Sequence, residues 1–184
     1  MKYCSFFVLI LVGLFILSQS GPATAQAEKK EPRLSPNASV SQTIGLTDVA
    51  VTYCRPGVKG RVIWGDLVPY DKVWRTGANE ATTFSCSDDV MIEGQKLAKG
   101  KYSLHTIPTA TTWTVIFNKV AEQWGSYSYK QDEDALRVTV TPREGAFQER
   151  LCFTFENLAD ASAQLVLSWE KLQVPIKIEV TIAK

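Results

Sequence analysis

Acid–base work on a glycosidic bond needs two carboxyl groups flanking it, roughly 5 to 10 Å apart. Asp66 and Glu80 are the pair this sequence offers, the candidate catalytic residues of a carboxylate-dependent hydrolase. Both belong to the stretch at 61–80, whose first part, RVIWGDLVPYDKVWR at 61–75, is aromatic and has no clean period of two. A connection this long in a compact domain is more often functional than a short one. Within it Trp64, Tyr70 and Trp74 offer ring faces for stacking, and Arg75, Asn79 and Glu80 offer orienting hydrogen bonds. Such a set suits a glycan or another cell-envelope component. A structural reading competes, in which the aromatics close one end of a core and Arg75 pairs with Glu80 or satisfies loop carbonyls. The need to satisfy every loop backbone group, which a five-donor guanidinium does well, favours that reading.

Other chemistry is thinly represented. His105 is the sole histidine, and Ser103 lies two residues away on the same strand face, but no third group orients them. Lys101, Ser103 and His105 therefore read as a wet face opposite Tyr102 and Leu104. No H-E-x-x-H, C-x-x-C or G-x-S-x-G pattern is present, so neither a metal site nor a cofactor is expected. Asp132, Glu133 and Asp134 lack the glycine and spacing of a calcium loop and read as a solvated turn. Arg55, Lys59 and Arg61 around Pro56-Gly57 read as a charged, wet turn.

The elements that must hold these residues are strands. Apolar and polar residues alternate at 39–44, 49–53, 81–86, 90–92, 101–107, 113–117, 136–140, 151–155, 165–169 and 176–182. Leu136, Val138 and Val140 against Arg137, Thr139 and Thr141 show the period of a half-buried strand. Pro56-Gly57, Glu93-Gly94, Lys99-Gly100 and Glu144-Gly145 supply turns between them. No helix-period segment is long enough for a crossover; only 62–68 and 119–124 read as single helical turns. An all-β antiparallel sandwich, or flattened barrel, of about nine or ten short strands follows. Gly77, free to take a positive φ, and Asn79 make 76–80 a tight entry into the strand at 81. Pro175 suits a strand start or an edge.

Residues 1–25 have the layout of an export signal: Lys2, an apolar run at 6–17, and Ala23-Thr24-Ala25 as a cleavage site. The run falls well short of the ~20 residues a membrane span requires. A soluble mature chain from Gln26, periplasmic or extracellular, is expected, with a disordered leader at 26–36 and one domain at 37–184. Loss of Lys2 takes the balance from 20 basic against 19 acidic residues to 19 against 19. Without a basic stripe, nucleic acid is not an expected partner. Cys54, Cys86 and Cys152 remain, enough for one disulfide; Cys54 and Cys152 are out of phase with their apolar neighbours and would pair if their strands adjoin, against the alternative of three free thiols.

The words RPGVKGR at 55–61, IWGDLVPY at 63–70, KVWRTGANEAT at 72–82, FNK at 117–119 and Trp124-Gly125 carry a resemblance. Over nearly the whole mature chain the sequence resembles a family of exported bacterial proteins of unknown function, the DUF 2911 type. That resemblance implies export and a single domain, and brings no reaction, cofactor or catalytic residue. Three functions stay open: a module binding a glycan or envelope component through the 64–80 loop, a carboxylate-dependent hydrolase at the same loop, and an assembly protein pairing through a strand edge.

Overall fold

The computed structural model describes residues 31–182. The export signal and its cleavage site lie outside the described residues. Two antiparallel sheets stack into a sandwich, with strand orders β1-β2-β3-β6-β7-β8 and β5-β4-β10-β9. The strands are β1 (Asn37–Ile44), β2 (Thr47–Cys54), β3 (Thr82–Cys86), β4 (Val90–Ile92), β5 (Gln95–Leu97), β6 (Gly100–Pro108), β7 (Trp113–Asn118), β8 (Asp134–Val140), β9 (Arg143–Ala159) and β10 (Ser162–Val180). At the two long edges β1 runs beside β9 and β5 beside β8, which bends the sandwich toward a barrel.

Alternation does the sorting. Val49, Val51 and Tyr53 of β2, Phe84 of β3, Leu104 of β6, Val115 and Phe117 of β7 and Val138 of β8 point from the larger sheet into the core. They meet Leu151 and Phe153 of β9, and Leu165, Leu167, Trp169, Ile176 and Ile178 of β10. Burial of such side chains is the main force holding the layers together, at about 1.5–3 kcal/mol each.

Three features differ from the sequence expectation. The runs at 165–169 and 176–182 form one strand of 19 residues, and 151–155 is the middle of another of 17. Register shifts between Ser168 and Glu170 and between Glu170 and Leu172 interrupt the alternation. The buried parity changes there from Leu165, Leu167 and Trp169 to Val174, Ile176 and Ile178, so both halves still face the same core. A gap in the pattern was a bulge, not a turn. Pro175 lies inside this strand, between the last pair with β9 at Gln173 and the first with β4 at Ile178, where its missing N–H forfeits no ladder bond.

The second difference is β5, a three-residue strand too short to show a period. Glu93 and Gly94 turn β4 into it, both at positive φ (48° and 76°), the conformation of a two-residue hairpin loop. The third is at 62–68 and 119–124, which hold no helix. Val68 N donates to Ile63 O at 2.9 Å and Leu67 N to Val62 O at 3.3 Å, a turn wider than a helical one. Among the described residues the one helical turn is Gln131–Glu133, beside the Asp134 carboxylate. That carboxylate is not solvated: it accepts from Tyr129 Oη, Arg137 Nε and Asn118 Nδ2 at 2.7, 2.7 and 2.8 Å.

Candidate functional site

The 61–80 segment runs from the end of β2 toward β3 and is stitched to β6 on the way. Trp74 N donates to Thr106 O at 2.8 Å and Thr106 N returns a bond to Trp74 O at 2.9 Å. This places the Trp74 indole over the end of the core, where it stacks on Trp169 with centroids 5.9 Å apart. Trp64 meets Trp113, Trp169 and Trp74 edge-on at 4.9, 5.6 and 6.0 Å. The faces of Trp64 and Trp74 are thus taken up by other indoles, and the pair closes one end of the sandwich. Tyr70 is exposed and covers Gly65, whose φ of +84° and whose lack of a Cβ, 3.0 Å from the ring if present, make room for it. Asp66 sits in the exposed turn beside Gly65.

Two expectations about this segment need correction. Arg75 pairs with no carboxylate or carbonyl among the described residues, and its buried Nε lacks an acceptor, as do the indole N–H groups of Trp64 and Trp169. A buried donor in that state costs about 1–3 kcal/mol. Other arginines engage carbonyls here: Arg61 donates to Gly57 O at 2.6 Å and Arg55 to Leu151 O of β9 at 2.9 Å. Arg55 and Arg61 are therefore tied into the fold by their side chains, while Lys59 to Arg61 remain an exposed turn. Gly77 does not have the positive φ; Thr76 and Asn79 do, at 55° and 57°. Gly77 is needed for close approach, because a Cβ there would lie 3.2 Å from Cys54 O and 3.1 Å from Thr82 Oγ1.

Glu80 is separated from the rest of the proposed set. Arg33 grips both its oxygens at 2.7 and 2.8 Å, and these bonds hold its carboxyl well down, at about 2. The same arginine reaches Asn37 Oδ1, and Ser35 O accepts from Asn79 Nδ2. The leader expected to be disordered through Pro36 is thus fastened from Arg33 onward. Glu80 and Asp66 are left in different surroundings, one ion-paired and one in an exposed turn.

Around Glu80 the outer face of the larger sheet opens into a cleft of about 370 Å³. Thr52, Cys54 and Thr83 form its floor, Asn37 one wall, and Glu122 and Gln123 the other. The Cys54 thiol is 3.0 Å from Asn37 Oδ1 and 3.4 Å from Glu80 Oε2. Burial pushes that thiol's pKa up, so it stays a neutral donor. Cys54, Cys86 and Cys152 are all free, and Cys54 is buried although its parity points away from the core. The covering wall comes from 119–130, a segment that folds back over the sheet. Ala81 N donates to Gln123 O and Gly125 N to Asn79 O, which sets Trp124 opposite Glu80 in an antiparallel bridge. Residues so paired project to one side. Trp124 is 60% exposed, the only one of the five tryptophans left open.

The same segment overturns the wet-face reading of β6. Ser103 and His105 are fully buried beneath it, and only Lys101 remains outside, paired with Glu122 at 2.9 Å. Gln123 Nε2 donates to Val120 O at 3.1 Å, which orients the amide, and lies 3.1 Å from Ser103 Oγ and 3.3 Å from His105 Nε2. His105 Nε2 also lies 3.2 Å from Ser103 Oγ and its Nδ1 lies 3.2 Å from Ser126 Oγ, so both ring nitrogens have a partner. Burial lowers its pKa to about 4, against a smaller opposing pull from the Asp134 charge. Neutral and sealed from solvent, His105 anchors the covering segment.

A family model described as a protein of unknown function (DUF2911) matches residues 35–178. The chain belongs to this family. No curated protein and no solved structure matches it. The DUF2911 match spans β1 to β10, so both the four-indole end and the cleft lie within the shared domain. No helix among the described residues is long and apolar enough to cross a membrane. Sequence reasoning missed Asn37 and Gln123 as cleft residues, Arg33 as the partner of Glu80 and Trp124 as the residue paired opposite it; the Trp124-Gly125 word was the one available signal, since a tryptophan in a polar loop has no core to join.

Proposed function

We propose that this DUF2911 protein is an exported module that binds a glycan in the cleft between Asn37, Glu80 and the 121–124 segment. The observation that carries this reading is Trp124, an open indole face beside a carboxylate, two amides and a cleft of about 370 Å³. Sugar rings have apolar faces that stack on indoles and hydroxyls that bond to fixed carboxylates and amides; the polar groups line the cleft, and the indole stands on the segment that walls it, paired opposite Glu80. Glu80 suits the role of a fixed acceptor because Arg33 keeps it ionised and immobile. The same pairing weighs against a hydrolase, whose acid must hold a proton near neutrality. The site keeps Glu80 and Asn79 from the 64–80 loop and replaces the faces of Trp64 and Trp74 with that of Trp124.

The test is a titration of the protein with soluble polysaccharides of differing linkage, followed by tryptophan emission. At least one should shift the emission saturably, and Trp124→Ala should abolish the shift and weaken retention on the same polysaccharide by about tenfold or more, which corresponds to ~1.4 kcal/mol. Unaltered retention by the Trp124→Ala variant, or silence across the whole panel, would overturn the proposal.

A further inference from the structure

A second pocket, of about 180 Å³, lies beneath the 61–80 segment, away from the cleft. Leu67, Trp74 and Trp169 wall it on the apolar side, Ser35 closes one flank, and Arg61 and Arg75 bring two guanidinium groups to it. No acidic residue lines it. Two of its lining side chains end in buried N–H donors without an acceptor: Arg75 Nε and the indole Nε1 of Trp169, a residue only 1% exposed. Trp74 is different, because its Nε1 donates to Gly77 O at 3.2 Å. Arg61 also spends Nε on Val58 O and a terminal nitrogen on Gly57 O. Positive charge is therefore in excess, and the free donors are those of Arg75 and Trp169.

We infer that this pocket binds a small organic carboxylate, one whose oxygens accept from Arg75 Nε–H and Trp169 Nε1–H while its carbon body packs against Trp74 and Leu67. A planar guanidinium matches a carboxylate in shape and charge, and an anion fits a lining with two cations and no acid. The volume equals about six waters at ~30 Å³ each, room for an acid of a few carbons. Two donors and aromatic walls suit a carboxylate better than a phosphate, which presents oxygens on all sides. The ligand class and the residues differ from those of the glycan cleft, and the two sites stand or fall separately.

Nitrogen–proton correlation spectra of the full chain test this through the indole resonances. Acetate, propionate and glucuronate are added in turn, with inorganic phosphate at matched ionic strength as control. The Trp169 indole peak, identified by its loss in Trp169→Phe or by through-bond assignment if that variant does not fold, should move saturably with carboxylate and stay in place with phosphate. Arg75→Gln should weaken the response by about tenfold or more, the loss of ~1.4 kcal/mol of binding. Response to acetate or propionate points to a free small acid, and response to glucuronate alone to the acidic end of a sugar; both uphold the site. A Trp169 peak unmoved by all three acids, moved equally by phosphate, or equally responsive in Arg75→Gln would overturn it. The Trp124 peak reports the cleft in the same spectra, so failure of one site is visible apart from the other.

Discussion

At the scale of residues, two titrating groups act in different pH windows. His105 has a folded pKa of about 4 against an ordinary 6.5, because burial disfavours the imidazolium. The unfolded chain therefore takes up a proton that the folded chain refuses, and stability falls as pH drops from 6.5 to 4, levelling below. The loss amounts to roughly 3 kcal/mol across that window. Urea unfolding at a series of pH values should show this slope, and His105→Gln should flatten it whatever its effect on absolute stability. Glu80 acts in the same direction at lower pH. Its folded pKa of about 2 lies below the usual 4.5, so the stability it contributes is complete above 4.5 and is lost as pH falls through about 2. The Arg33–Glu80 pair is half exposed, so the effect on stability is smaller than that of His105. Carbon NMR of the Glu80 carboxylate should give a titration midpoint well below those of unpaired glutamates, and Arg33→Ala should restore an ordinary one.

At the scale of elements, the turn that carries Thr76 to Glu80 is held by contact rather than by glycine's free dihedrals. Gly77→Ala would press a methyl against Cys54 O and Thr82 Oγ1, and neither the backbone carbonyl nor a threonine already donating to Thr76 O can move aside freely. We expect a loss of ~1–3 kcal/mol in chemical denaturation, of the size of other overpacking changes. The strands themselves were legible in the sequence wherever alternation ran unbroken, as in Leu136, Val138 and Val140. They were not legible where a bulge at Glu170 reversed the parity, because a one-residue slip in phase looks the same as a turn. The 119–130 segment was the least legible element. Its hold on the sheet comes from Gln123 and Ser126 meeting His105 across about twenty residues of chain, and such pairings leave no local period.

At the scale of the whole molecule, the tryptophans divide into four that build and one that faces outward. Trp169→Ala would remove the indole on which Trp74 stacks and which Trp64 meets edge-on, at a cost of ~3–5 kcal/mol. Trp124→Ala should leave stability within ~0.5 kcal/mol, since its ring is open to solvent. Thermal melts of the two variants side by side test that division. Sequence by itself determined the all-β class and most strand positions, because alternation and turn residues act over a few neighbours. It also marked the 61–80 segment as unusual, since so many aromatic side chains outside a regular period need a partner. Only the tertiary structure decided which partner. Trp64 and Trp74 went inward because Trp113 and Trp169, distant in the chain, arrive at the same end of the core, and Trp124 stayed outside because the segment carrying it lies over a polar sheet face. Such choices depend on long-range packing, and no local pattern of residue types encodes them.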